Sequence, residues 1–253
     1  MLLKMFQRAA LIVLASVAIA CDQVATLAEP SPTELLQKAS ANLAKAKTAH
    51  IDGGGSFAIS PFSFDFKLTG DTEIPDKSRL TMQMSLLGQT VSVDTVTIGG
   101  QTFSRGLVSN DWTQSTANDP QGAILDPLGQ ADLTAVASIA EVDRPVIDGH
   151  KTRHLSYVVD QSKFVDKIKS SPSGATPPLT LSGATGTGEI WIRIDDSQIV
   201  RQLVKLSLNV DAGLGIPGAS STTSAGTLGM SFDIKFTHIG EPISPAITAP
   251  PTS

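Results

Sequence analysis

The chain has 253 residues, of which 41% are hydrophobic and 17% are charged, and its formal net charge is −5. This length and apolar content allow a buried core that forms one domain or at most two, and the acidic balance argues against a nucleic-acid partner, which would require a basic patch. Because Cys21 is the only cysteine, no disulfide forms within the chain, and packing and hydrogen bonds must stabilise the fold.

The first residues are typical of an export signal. Lys4 and Arg8 make a basic start, and the uncharged stretch 9–20 follows them. That stretch has the length of the apolar part of a signal peptide, roughly 7–15 residues, and is shorter than the roughly 20 residues of a membrane-spanning helix. The sequence therefore predicts a signal peptide over 1–20.

The residues that follow predict a lipid anchor. The sequence Ala-Ile-Ala-Cys at 18–21 resembles the bacterial lipobox, in which the cysteine is acylated and becomes the new N-terminus, although that motif usually has Leu where this chain has Ala18. The alternative is an ordinary secretory signal that is cut nearby and leaves Cys21 as a free thiol. We expect a lipidated Cys21 and a short tether over 21–31 that hold the protein outside the cytoplasm on the bacterial cell membrane.

An amphipathic helix is predicted over 32–47. Ser31 is a suitable N-cap, Pro32 occupies the first helical position, and Glu34 completes a capping box. Apolar residues then recur at helical spacing on one face. They are Leu35, Leu36, Ala39, Leu43 and Ala46. We expect this face to pack on an apolar sheet.

From Ile51 onward the apolar residues recur at every second position, which is typical of half-buried strands. The clearest runs are Phe62 to Leu68, Leu80 to Leu86, Ile190 to Ile194, Val204 to Val210 and Leu228 to Phe236. Short turns such as Gly99-Gly100 separate successive runs, so the sequence predicts an antiparallel meander.

Four segments interrupt or end the strand pattern. Helical spacing of apolar residues predicts a second helix over 126–142, and Asp160 or Ser162 is expected to cap a short third helix. The stretch 170–188 is rich in Ser, Pro and Gly and predicts a mobile loop, either a lid that governs entry to a site or a linker. The Pro-rich tail 242–253 is predicted to be disordered.

Catalytic and metal-binding patterns are weak. His150 and His154 have the i,i+4 spacing of helical metal ligands, but they flank a predicted strand, where four residues span about 13 Å and two imidazoles cannot share one metal. The glycine-rich stretch 183–188 lacks the Lys-Ser/Thr ending of a P-loop. We expect no catalytic residue, no metal and no cofactor; a hydrolase site assembled in space from distant Ser, His and Asp residues is the alternative.

The order of elements resembles that of the LppX/LprAFG family of lipoproteins over 32–241. It comprises a lipobox, a tether, a capped helix, a long meander, an interposed helical segment, the hairpin 147–155, a helix after Asp160 and closing strands. The resemblance implies an α+β fold in which helices pack on the concave face of a strongly bent antiparallel sheet, a half-barrel. It also implies a hydrophobic cavity between sheet and helices that holds acyl chains of lipids or glycolipids in transit through the cell envelope.

A sheet with one apolar face must cover that face with helices, with another sheet or with a ligand. Few helices are predicted here, and an apolar void would accept apolar ligands. The alternative is that the same side chains pack a solid core. The expected cavity-lining residues are Phe64, Phe66, Met82, Met84, Leu206, Leu208, Met230, Phe232 and Phe236, with Leu36 and Leu43 of the helix.

The sequence thus predicts a monomeric carrier with a lipid or glycolipid ligand. Its contacts would be the membrane, through Cys21, and an envelope transporter that loads or empties the cavity. The competing interpretation is a structural or sensory lipoprotein with a solid core, whose surface binds an envelope protein or a glycan. An apolar patch on the outside of the fold would favour that second interpretation.

Overall fold

A computed structural model describes the chain from residue 29 onward, and its helices and strands all lie in the unit Pro32–Ser253. The described residues are 29–59, 62–74, 76–86, 89–106, 109–115, 136–170, 181–210 and 226–251. Cys21, the predicted signal peptide and most of the tether lie outside them.

Within these ranges the chain forms two helices and twelve strands. The helices are α1 (Pro32–Ala46) and α2 (Gln161–Ser170). The first six strands are β1 (Thr48–Ile59), β2 (Phe62–Glu73), β3 (Lys77–Leu86), β4 (Gln89–Ile98), β5 (Gln101–Arg105) and β6 (Thr113–Ser115). The last six are β7 (Val136–Asp143), β8 (Val146–Ile147), β9 (His150–Val159), β10 (Leu181–Arg193), β11 (Ile199–Val210) and β12 (Gly226–Thr237).

The described strands form one antiparallel sheet, as the predicted meander requires. Its order is β6-β5-β4-β3-β2-β1-β12-β11-β10-β9-β7, and β8 pairs with β9 alone. The pairing of β1 with β12 joins the two halves of the sheet, with Ile51 opposite Phe236 and Phe57 opposite Met230. Over the described strands the order does not close into a barrel, because β6 and β7 are its two ends.

The two faces of the sheet differ in chemistry, because successive side chains of a strand point to opposite sides. We call the face that carries Ile51, Leu206 and Phe232 the inner face; these three side chains are buried. The face that carries His154 and Arg201 is the outer face, and its side chains are mostly polar and partly exposed. This division explains why the strand sequences alternate so regularly.

Helix α1 confirms the predicted helix to within one residue. It ends at Ala46, and Lys47 takes the left-handed conformation (φ 65°) that commonly ends a helix. The predicted face is buried through Leu35, Leu36 and Ala39, and the helix contacts β7, β10 and β11. No helix in the described part of the chain is long and apolar enough to cross a bilayer.

Two local predictions in the second half are confirmed. Asp148 (φ 51°) and Gly149 (φ 82°) form the tight turn between β8 and β9, since both adopt the left-handed backbone of a two-residue hairpin loop. Asp160 caps α2, because its Oδ1 accepts a hydrogen bond from the backbone N–H of Lys163 at 3.2 Å. That bond, and another from the Ser162 hydroxyl, lower the pKa of the Asp160 carboxyl.

The prediction of a helix over 126–142 is wrong from Val136 onward. Val136–Asp143 is strand β7, paired with β9, while 126–135 lies outside the described residues. The pairing shifts register between Val136 and Ser138 and again near Glu141. A bulge adds one residue to the strand and breaks its alternation. It therefore places the half-buried Val136 and Ile139 three residues apart, which imitates helical spacing.

The mobile loop predicted over 170–188 is also wrong in its second part. Leu181–Gly188 belongs to β10, and only 171–180 remains outside the described residues. The glycines that indicated a loop instead belong to the strand. Side chains of the neighbouring strands pass over them and leave no room for a Cβ. A Cβ on Gly188 would overlap the ring of Tyr157, and a Cβ on Gly186 would approach Leu206. Close approach of this kind is a common reason for glycine inside a strand.

The segment 242–253 is predicted to be disordered, but its described part, 242–251, makes specific contacts. The carbonyl oxygen of Pro245 accepts a hydrogen bond from Arg79 at 3.2 Å. Ile247 is only 5% exposed. Burial of the Ile247 side chain contributes about 1.5–3 kcal/mol toward ordering this segment, and the hydrogen bond to Pro245 adds to it.

Candidate functional site

The residues predicted to line a cavity come together on the inner face. All of them belong to one apolar cluster or pack against it. The buried members are Leu36, Phe66, Met82, Leu206, Leu208, Met230, Phe232 and Phe236, and the partly buried ones are Leu43, Phe64 and Met84. The sequence therefore identified a set of side chains that share one region of the fold.

An aromatic group occupies the centre of this face, and its central member, Phe57, is not among the residues predicted to line a cavity. The Phe57 ring lies 5.0 Å from the Phe66 ring, 5.4 Å from that of Phe64 and 5.7 Å from that of Phe232. Such distances are typical of interacting aromatic pairs. Phe57 lies two residues after the last of three consecutive glycines, 53–55, which conceal the alternation of β1. A Cβ on Gly55 would lie 2.7 Å from the Phe66 ring, so glycine lets that ring cross β1.

A polar pair is buried within the same face. The Gln202 side chain donates from Nε2 to the Tyr157 hydroxyl at 2.9 Å, and the two residues are 2% and 6% exposed. Burial raises the pKa of Tyr157 to about 12. Neither residue was singled out in the sequence, because a polar residue at an inward position of a strand gives no sign of its partner.

Tyr157 is the only tyrosine of the chain, so its titration can be read from ultraviolet absorbance of the phenolate. We expect a midpoint near 12 in the folded protein instead of the ordinary value of 10. Between those values the folded state holds a proton that the unfolded state has lost, so stability should fall as pH rises through this window. Tyr157→Phe should abolish the absorbance change. A midpoint near 10, with circular dichroism still native, would contradict the buried placement.

A second polar group is an ion pair at the β7–β9 edge. Glu141 Oε2 accepts hydrogen bonds from Nε of Arg153, at 2.8 Å, and from its Nη2, while Oε1 accepts one from Arg144 at 2.6 Å. The Arg153 side chain is only 7% exposed. The hydrogen bond from Arg144, together with that from Arg153, lowers the pKa of Glu141.

Glu141→Gln should lower the free energy of unfolding by about 2 kcal/mol at neutral pH, since it weakens charged hydrogen bonds to a buried guanidinium. Because the folded-state pKa of Glu141 is lowered, its contribution is present above the unfolded pKa and is lost as pH falls through the folded one. Urea unfolding at about pH 7 and about pH 3 should thus show a smaller acid dependence in the variant. Asp94→Asn, which breaks the more exposed pair with Arg105, is the control and should cost less than about 1 kcal/mol. Equal losses from the two variants would contradict this assignment.

The described helices lie over one part of the inner face. Helix α1 contacts β7, β10 and β11, and α2 contacts β10. The side chain of Asn42 in α1 also donates to the backbone oxygen of Asp196 at 2.8 Å, next to β10. The apolar face nevertheless continues through β1, β2 and β3, where Phe57, Leu68 and Met82 are buried.

The outer face carries a stacked ladder of polar and aromatic side chains. The His154 ring stacks on Trp191 at 4.3 Å, and the Arg201 guanidinium lies 4.7 Å from the centre of the same indole. Arg201 in turn donates to both carboxylate oxygens of Asp233, at 2.8 and 2.6 Å, which lowers the pKa of that carboxyl. These contacts tie β9, β10, β11 and β12 together on the solvent side.

The two histidines of the i,i+4 pair have different partners. His150 faces Asp195 at 3.7 Å, whereas His154 faces Asp143 at 2.9 Å and Glu189 at 3.1 Å. Among the described residues, no group of three or more His, Cys, Asp or Glu side chains could hold a metal ion.

No protein-family model and no curated protein matches the chain. Solved structures do match. LprF from Mycobacterium bovis is 16% identical with a TM-score of 0.47, covering 88% of this chain and 99% of that one. The lipoprotein LppX from Mycobacterium tuberculosis is 16% identical with a TM-score of 0.43, covering 85% and 99%. A LolA superfamily protein from Nitrosomonas europaea is 8% identical with a TM-score of 0.31. The predicted resemblance to the LppX/LprAFG lipoproteins thus agrees with these matches to LprF and LppX.

Proposed function

We propose that this protein is a membrane-anchored lipoprotein outside the cytoplasm that binds acyl chains of lipids or glycolipids on the inner face of its sheet and carries them through the cell envelope. One observation carries the proposal. The principal contacts of both described helices fall on β7, β10 and β11, while the apolar face continues across β1, β2 and β3. This apolar region lies beyond the principal helix contacts and is buried; it offers acyl chains the apolar surroundings that they require.

The proposal includes a bent sheet whose concave side is the inner face. The glycines at positions 53–55 of β1 and at 186 and 188 of β10 support it. They allow neighbouring backbone and side chains to approach more closely than a Cβ would permit. Helix α1, which contacts the same side as Leu206, would then close one end of the concavity. Met82, Met84 and Met230 suit a cavity that accepts chains of varied shape, because methionine adapts to irregular partners.

The most direct test is native mass spectrometry of the full-length protein, extracted from its membrane and then freed of detergent. Co-purifying species whose masses correspond to lipids or glycolipids would support a carrier. A protein that is free of lipid after extraction, and that takes up none from vesicles of a bacterial lipid extract, would favour the solid-core alternative. We assign no catalytic step to either outcome.

The membrane anchor is tested separately. We expect Cys21→Ser to move the protein from the membrane fraction to the soluble fraction, because the acyl chains on the cysteine contribute about 0.8 kcal/mol per buried CH₂ group. Fractionation of a bacterial host followed by immunoblotting measures the change. Wild-type protein whose intact mass carries no diacylglycerol would contradict the anchor while leaving the inner face untested by that result.

A further inference from the structure

The outer face contains a pocket that the lipid function does not use. Its volume is about 280 Å³, and it lies over β7, β9, β10 and β11. None of the predicted cavity residues lines it. The pairing register accounts for its place: Thr187 lies between Val158 and Lys205, and in the next row Glu189 lies between Ser156 and Leu203.

Small side chains create this depression. Ala140 and Ser156 are cross-strand neighbours and leave the surface low between the longer side chains of Glu189, Leu203 and Lys205. Its wall is partly apolar, because Val158 is 46% exposed there. Serine and threonine residues, a glutamate, a lysine and aliphatic residues therefore line one space.

The charges of the pocket restrict what it can bind. Lys205 is exposed, and its ammonium has no hydrogen-bond or ion-pair partner among the described residues. Glu189 is paired with His154 at 3.1 Å rather than with Lys205. One wall thus offers a free donor and the other an acceptor. The Glu189 carboxylate repels a purely anionic ligand, and the Lys205 ammonium repels a purely cationic one. A neutral ligand with many hydrogen-bond donors and acceptors therefore fits best.

We propose that this pocket binds a saccharide ring, with Lys205 donating to one hydroxyl, Glu189 accepting from another, and Val158 and Leu203 contacting the C–H face of the sugar. The volume lies near the lower end of the roughly 300–1,000 Å³ found for small-molecule pockets. That size corresponds to a single ring or a short glycan end. The proposal does not depend on lipid binding, because the inner and outer faces are opposite sides of the same strands.

The test is saturation-transfer difference NMR on the full-length protein in a detergent without sugar headgroups. The probes are D-glucose, D-mannose, N-acetyl-D-glucosamine and maltose. We expect at least one to bind with a dissociation constant on the order of 1 mM, as is usual for so small and polar a ligand. Sodium phosphate and choline chloride, as anionic and cationic competitors, should not displace it.

Two variants address the pocket and one serves as the control. Lys205→Met should weaken binding about tenfold, since it removes a charged hydrogen bond. Ala140→Phe, from an exposed position on β7, should fill the depression and abolish binding. Lys67→Met removes an exposed lysine from the outer face of β2 and should leave binding unchanged. Thermal unfolding should be nearly the same for all three.

Three results would overturn the proposal. They are failure of every saccharide to bind the folded wild type, displacement of a bound saccharide by phosphate, and equal binding by wild type and Ala140→Phe. Each is independent of the lipid content found by native mass spectrometry, so failure of this site and failure of the lipid carrier can be distinguished.

Discussion

Leu206→Trp and Met84→Trp should each reduce the lipid that co-purifies with the protein by several-fold and change stability by less than about 1 kcal/mol, if the inner face lines a cavity. The reason is that added bulk then enters space that an acyl chain would otherwise occupy. Leu206 is buried in the second half of the sheet, and Met84 is partly buried in the first. Native mass spectrometry measures lipid content, and urea unfolding measures stability.

Ser207→Trp is the matched control. It adds bulk to the same strand as Leu206 but on the outer face, so lipid content should not change. A packed core would respond in the opposite way, because overpacking typically costs about 1–3 kcal/mol. Loss of stability in Leu206→Trp and Met84→Trp, together with a wild type that holds no lipid, would contradict the carrier and favour the solid core.

Most of the fold that could be predicted follows from sequence patterns within single segments of the chain. Helix α1 follows from a cap at Ser31 and apolar residues at helical spacing, and both signals lie within one stretch of chain. The strand runs likewise show their inward residues by alternation alone, which is why the predicted inner-face set occupies one cluster. In each case the information is contained in residues fewer than about ten positions apart.

The features that were predicted wrongly or not at all depend instead on contacts between different strands. The bulges of β7 alter its spacing through pairing with β9, and the glycines of β10 are explained by Tyr157 and Leu206 of neighbouring strands. The ladder of His154, Trp191 and Arg201 depends on the register of three strands. None of these can be inferred from one segment, because a shift of one residue would turn each side chain to the other face.

Gly188→Ala should be among the most destabilising single changes in the sheet, costing about 3 kcal/mol or more in the free energy of unfolding. The new Cβ would overlap the Tyr157 ring, which is rigid and held by its hydrogen bond to Gln202 at 2.9 Å. The ring can yield only by breaking that bond or by moving strand β9. Gly229→Ala in β12 is the matched control, because there a Cβ meets its nearest atom, the Cβ of Ala58, at an ordinary 3.6 Å.

We expect Gly229→Ala to be neutral or slightly stabilising, since alanine loses less backbone entropy on folding than glycine. Urea unfolding followed by tryptophan fluorescence measures both variants. A double-mutant cycle identifies the cause: in a Tyr157→Ala background the ring is gone, so Gly188→Ala should cost much less than it does in the wild type. If its cost were the same in both backgrounds, the ring of Tyr157 would not be the reason for glycine at 188.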